Sequence, residues 1–156
     1  LSLQQGIFAF TRPDLLGMPV YEVFMWGFYL LHTRRALGGP APATSRAAWV
    51  LAILYAVAFA SIADPGLLLA VTGVQLAGAL ILFHGRYDWA YVVDMVLLGA
   101  AVEYTGVHVA GEWSYPGDPP GGVPIWFVSL WGGVGLFLHR LVLPLVARYE
   151  GEQSNG

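Results

Sequence analysis

Five long apolar stretches with almost no charge inside them decide what this chain can fold into. They cover about Leu15–Leu31, Ala47–Ala63, Leu67–Phe83, Trp89–Ala110 and Val123–Val146. A bilayer core takes about 20 apolar residues in helix, with a range of roughly 17–25, and each stretch is close to that. Only 11% of the residues are charged, against roughly 25% in a soluble domain. The chain therefore has too little charge to cover a water-facing surface. The pattern predicts an all-α, polytopic integral membrane bundle of about five transmembrane helices.

The breaks between stretches have local causes. In "ADPG" (Ala63–Gly66) proline cannot continue a helix and glycine permits a tight reversal. "HGRYD" (His84–Asp88) separates the third and fourth stretches, and a Pro/Gly-rich loop, Pro116–Gly122, separates the last two. Pro144 is expected to kink or end the fifth helix. Residues 15–149 read as a single transmembrane domain. Residues 1–14 lack the basic, long apolar and small-residue regions of a signal peptide. They are expected to be an interfacial segment or the end of a helix that begins upstream. The polar tail 150–156 is expected to be disordered.

Arginine orients the bundle. All seven basic residues are arginine, and short cytoplasmic loops carry the positive excess. With five spans, Arg34, Arg35, Arg46, Arg86, Arg140 and Arg148 fall on one side and Arg12 on the other. The predicted orientation is N-terminus outside and C-terminus inside, in a prokaryotic inner (cytoplasmic) membrane. A sixth, upstream helix would leave it unchanged. The net charge of -3 and the lack of an arginine cluster interleaved with aromatics give no reason to expect nucleic acid. With no cysteine there is no disulfide or thiolate chemistry.

Ionisable groups inside a span are costly and point to function by default. Glu22 falls in the first stretch, and Asp94, Glu103 and His108 in the fourth. On a helix, Asp94, Ala101, Thr105, His108 and Glu112 share one stripe, and His108 and Glu112 are spaced to touch. Glu103 lies half a turn away from Asp94. In depth, Asp94 is about 9 Å from the inner end of its helix at ~1.5 Å per residue. Glu22, Glu103, His108 and Glu112 belong to the outer half, with Trp113 and Tyr115 just beyond.

Plainer roles stand beside these. Asp94 can pair with Arg86, Glu22 can bond a neighbouring Tyr or Trp, and Glu112 can be a solvated loop acid. Trp49, Trp89, Tyr91, Trp113, Tyr115 and Trp126 sit at predicted span ends, where aromatic rings anchor a helix at the interface. No HExxH pair or second spaced histidine accompanies His108, Glu112, Glu103 and Glu22, so no metal site is expected. There is no GxSxG nucleophile motif, and "WGGVG" (Trp131–Gly135) reads as close helix packing.

The segment "LGAAVEYTGVHVAGEWSYPGDPPGGVPIWFVSLW" (Leu98–Trp131) resembles the carotenoid biosynthesis proteins that include the membrane carotenoid hydratases. The resemblance is carried by Glu103, Gly106, Gly111, Trp113, Tyr115, Gly122, Pro124 and Trp131. It implies an activity on an apolar isoprenoid: addition of water across a terminal double bond of an acyclic carotenoid, with no cofactor. Such an alkene must be protonated to a tertiary carbocation by a carboxylic acid. Burial favours the neutral form of carboxyl groups in general. Glu103 is the expected acid. Trp113 and Tyr115 would flank the cation, Trp126 and Trp131 would complete the substrate-binding wall, and Glu22, His108 or Glu112 would handle the water.

The same residues leave two other readings open. "WSYP" and the glycine-rich last helix are similar to the Insig sterol-sensing proteins, which bind lipid and partner proteins without chemistry. A proton-coupled transporter is a third, disfavoured by the lack of an inverted repeat.

Overall fold

The computed structural model describes residues 6–154 except Asp118, with side chains to Tyr149. It is mostly helical. A short strand β1 (Ala9–Phe10) precedes α1 (Val20–Leu37), α2 (Arg46–Ser61), α3 (Pro65–Phe83) and α4 (Arg86–Tyr104). A π-turn (Thr105–Ala110) extends α4, and β2 (Trp113–Ser114) follows. The last rod is α5 (Phe127–Phe137), a second π-turn (Leu138–Val142) and α6 (Leu143–Ser154).

Three of these segments are long and apolar enough to cross a membrane: Pro65–Phe83, Arg86–Ala110 and Pro120–Tyr149. The helix α2 is equally apolar but has 16 residues. The helix α1 has 18 and carries Glu22, Arg34 and Arg35. Large side chains on the outer faces are bare, including Phe24, Val74, Ile81 and Leu97. An apolar exterior on that scale suits lipid, not water.

Several expected boundaries move. The first helix begins at Val20 rather than Leu15, because Leu15–Met18 closes a tight turn with Leu16 in the left-handed region and Pro19 caps the helix. The break before α4 shrinks to two residues. His84 ends α3 with φ 35° and Gly85 opens α4. Asp88, expected in that break, is instead in the first helical turn and accepts the Gly85 N–H at 3.0 Å. Asp64 caps α3 by accepting the Leu67 N–H at 2.7 Å, with Pro65 at the first helical position.

Pro144 does not end the last helix. A proline denies a hydrogen bond to the carbonyl four residues back, and the π-turn ahead of it takes up that local mismatch. The helix runs on to Ser154, into the segment expected to be disordered, where Glu150, Glu152 and Gln153 are good helix formers. Asn155 and Gly156 lie outside the described residues, as do residues 1–5 of the N-terminal segment. The described part of that segment is neither helix nor free arm. Its strand β1 pairs antiparallel with β2, Ala9 opposite Ser114 and Phe10 opposite Trp113.

The bundle is built around the α4–α5 contact, its most extensive. Glycine makes it close. A side chain on Gly135 would strike the Tyr91 carbonyl, so glycine there lets the two backbones meet. Contacts sort the two ends. At one, the Tyr91 hydroxyl donates to the Gly38 carbonyl at 3.0 Å, and Arg140 reaches Asp88 and the Phe83 carbonyl. At the other, β1, β2 and Arg12 gather over Glu22, Glu103 and Glu112.

Candidate functional site

A cavity of about 90 Å³ lies under the β1–β2 ribbon, between α1, α4 and the start of α5. Glu22 and Glu103 both face it. Both are buried, at 7% and 5% exposure, so neither carboxyl is held in bulk water. Trp113, Tyr115, Trp126 and Trp131 line it with them. Six of the eight site residues expected from the sequence are thus brought together.

The carboxyl of Glu103 is gripped on both oxygens. Its Oε2 accepts the Trp113 indole N–H at 3.0 Å and the Tyr115 hydroxyl at 2.6 Å. Its Oε1 accepts the Trp131 indole N–H at 3.2 Å. Two of these donors are indoles, which can only donate. Glu103 is therefore committed as an acceptor on both sides. The local chain explains the reach. Gly111, at φ 61°, ends the π-turn and reverses the backbone, and Gly106 leaves room beneath it for the Trp113 ring. The ladder with β1 then fixes Trp113.

Burial, followed by the nearby Glu103 charge, pushes the Tyr115 hydroxyl well above the ordinary phenol range. It stays protonated and donating at any physiological pH.

Glu22 stands opposite with no partner of this kind. Among the described residues no hydrogen bond reaches its carboxyl group. Four residues that the sequence reading passed over accompany it: Trp26 and Tyr29 on α1, Phe10 of β1 and Phe8 just before that strand. Trp26 stacks on Trp131 with centroids 5.1 Å apart and planes at 17°. Tyr29 meets the same ring edge-on at 5.5 Å. Glu22, Trp26 and Tyr29 are spaced i, i+4, i+7, which puts them on one helix face. That spacing was the available signal.

Glu112 belongs to a neighbouring cleft of about 410 Å³ that shares Glu22, Tyr29, Val102 and Trp113 with the cavity. It works as a clasp. It accepts the Tyr21 hydroxyl at 2.9 Å and pairs with Arg12 at 3.3 Å, while its carbonyl takes the Thr11 N–H at 2.8 Å. His108 is not in the site. It is exposed, bonds the Gly121 carbonyl at 2.9 Å and lies against Tyr104. The expected His108–Glu112 contact does not form, because Gly111 turns the chain between them. Trp126, expected as an interface anchor, is 3% exposed and packs on Phe59 and Tyr115.

A second buried polar cluster occupies the opposite end. Asp88 bonds His139 Nδ1 at 2.8 Å and Arg140 Nε at 2.6 Å, and Tyr91 stacks on His139. Arg86, the expected companion of Asp94, instead lies over the Tyr87 ring. Comparison with family models, with curated proteins and with solved structures finds no match for this chain.

Proposed function

We propose that this is a five-span membrane protein, N-terminus outside, that hydrates a terminal double bond of an acyclic isoprenoid of the carotenoid type. Gathering of the arginine-bearing helix ends at one end of the bundle supports that orientation. In a membrane, α1 and α2 would cross beside the three longer helices.

One observation carries the chemical reading: two buried carboxyl groups in one small aromatic cavity, one held by three donors and one by none. Two carboxyl groups whose surroundings differ this way take different roles, one exchanging protons and one staying a fixed charge. The acid role expected of Glu103 therefore passes to Glu22. Glu22, unbonded, delivers a proton to the terminal alkene carbon. The positive charge then sits on the tertiary carbon, beside the rings of Trp113 and Tyr115 and close to the fixed carboxylate of Glu103. Water enters from the neighbouring cleft, whose rim has Tyr21, Thr105 and Glu112. It bonds to the cationic carbon and returns its extra proton to Glu22. The product is a tertiary alcohol, the sum of alkene and water, and no electron carrier is needed.

A non-catalytic lipid-binding protein, similar to the Insig proteins, is the second reading. The threefold bonding of Glu103 favours it, since such bonding by itself accounts for the group as the fixing point of Trp113, Tyr115 and Trp131.

Expression in a host that accumulates acyclic carotenoids, followed by mass spectrometry of the pigments, separates the two. The hydratase reading expects an 18-dalton gain, as for any added water, with the intact protein and its loss in Glu22→Gln. Unchanged pigment with a folded, inserted protein supports the binding reading.

A further inference from the structure

A third hollow, of about 470 Å³, runs along the outside of the bundle between α1, α2 and the α5–α6 rod. Its walls are hydrocarbon and aromatic. Its one hydroxyl, on Tyr55, is already bonded to the Ser129 carbonyl. A groove whose other polar group is the Trp49 indole N–H at its end recognises a hydrocarbon chain along its length and not a headgroup.

The groove is a furrow and not a general apolar face. Ala52 and Ala56, one helical turn apart on α2, form its floor. Phe59 and Leu130 stand at one end, Trp49 and Leu145 at the other. The span from Trp49 to Phe59 is about 15 Å and that from Leu130 to Leu145 about 22 Å, at ~1.5 Å per residue. An extended carbon chain advances about 1.3 Å per bond, given C–C bonds of ~1.5 Å. The furrow thus matches roughly 12–17 carbons.

It also leads to the carboxyl pair. Leu130 is a wall of both the groove and the Glu22–Glu103 cavity, and Phe59 of the groove packs edge-on against Trp126 of the cavity at 6.0 Å. The cavity is smaller than the ~150 Å³ that admits a benzene ring. A slim chain end fits there and a fused ring system does not. We infer that this groove holds the body of a linear hydrocarbon chain whose end is inserted past Leu130 into the carboxyl cavity. The inference rests on the cavity being the reacting site. It adds where the body of the chain lies and that chain length is read between Leu130 and Trp49.

The test uses the full chain in lipid nanodiscs and linear isoprenoid hydrocarbons of ten and twenty carbons, each ending in an isopropylidene group. A third, twenty-carbon probe carries a photoreactive diazirine at the end opposite its double bond. The label is expected on Trp49, Val142 or Leu145. In Ala56→Trp, where a lipid-facing alanine is replaced and the fold is spared, that label is expected to disappear. The hydration rate of the longer chain relative to the shorter should fall about tenfold, the equivalent of roughly two buried CH₂ groups. Label spread over other outward residues such as Phe24, Ile81 and Leu97, or an unchanged rate ratio, overturns the groove. Absence of hydration with either chain overturns the reaction instead, and the label map, which needs no turnover, still decides the groove.

Discussion

The indole ring of Trp131 occupies the space that a side chain on Gly99 would fill. This contact joins α4 to α5 one turn below Glu103, and it holds the ring whose N–H bonds that carboxylate. Any substituent at position 99 must displace Trp131, and with it Trp26, which stacks on the far face. Gly99→Val is expected to destabilise the protein by about 1–3 kcal/mol, the usual cost of overpacking. Thermal unfolding in detergent measures the loss. Near-ultraviolet circular dichroism, which senses stacked indoles, should change in the same variant.

Glu103 gives a different kind of prediction. In Glu103→Gln, one oxygen becomes an NH₂ donor and must face an indole N–H or the Tyr115 hydroxyl. A buried donor without an acceptor costs about 1–3 kcal/mol. Replacing Trp113 with Phe as well removes one of the conflicting donors. The double variant is therefore expected to be more stable than the sum of the two single changes. A double-mutant cycle on unfolding free energy checks this, and strict additivity would remove Trp113 from the account.

Tyr115 sets a pH limit at the alkaline end. Its folded-state hydroxyl is held well above the ordinary phenol range by burial and by the Glu103 charge, whereas in the unfolded chain it titrates near ~10. The folded state therefore keeps a proton that the unfolded state loses. The resulting stability is fully present below pH ~10 and declines as the pH rises beyond it. Intact protein and Tyr115→Phe should show the same phenolate absorbance near 295 nm while folded. Their stabilities should converge as the pH is raised above ~10.

Asp88, His139 and Arg140 are expected to form the stability anchor of the opposite end. Asp88 is fully buried and takes three nitrogens from the last rod, His139 Nδ1 and two of Arg140, while Arg140 also spans to the Phe83 carbonyl. Removing one partner of a buried ion pair leaves the other uncompensated, at about 3–5 kcal/mol. Asp88→Ala should fall in that range, and Arg140→Lys should lose part of it because lysine cannot reproduce the two-nitrogen grip. Protease resistance and unfolding temperature in detergent report both.

Much of this was legible in the sequence. The apolar runs marked the three helices that are long enough to cross, and "ADPG" marked the α2–α3 turn because Asp64 and Pro65 act locally. Glu22 and Glu103 stood out because charge in an apolar run is costly, whereas Trp113, Tyr115 and Trp126 stood out by their place at span ends and Trp131 by the family resemblance. The misplaced residues all depend on long-range contact. Asp88 looked like part of a polar break, since its partners lie more than fifty positions away. His108 and Glu112 looked like a helical pair, since nothing local says that Gly111 adopts φ 61°. The strand from Ala9 to Phe10 is too short to carry a period of its own. It exists because Trp113 and Ser114 pair with it.

His108 and Glu112 supply the sharpest test of that distinction. Each was, with Glu22, a candidate to handle water. His108 bonds a loop carbonyl away from the cavity, and Glu112 clasps Arg12 and Tyr21 at the rim. His108→Ala, at an exposed position, should change stability by no more than about 0.5 kcal/mol and leave pigment conversion intact. Glu112→Gln keeps an acceptor for the Tyr21 hydroxyl and gives up only the pairing with Arg12, whose side chain is 80% exposed. An exposed pair is worth roughly 0–1 kcal/mol, so conversion should persist there too. Glu22→Gln, by contrast, removes the unbonded acid and should lower conversion by about 10²–10⁴-fold, the usual contribution of a general acid. Pigment analysis of the three variants side by side checks the assignment. Loss of conversion in His108→Ala, with Glu22→Gln unaffected, would return the water-handling role to His108 and take the acid role from Glu22.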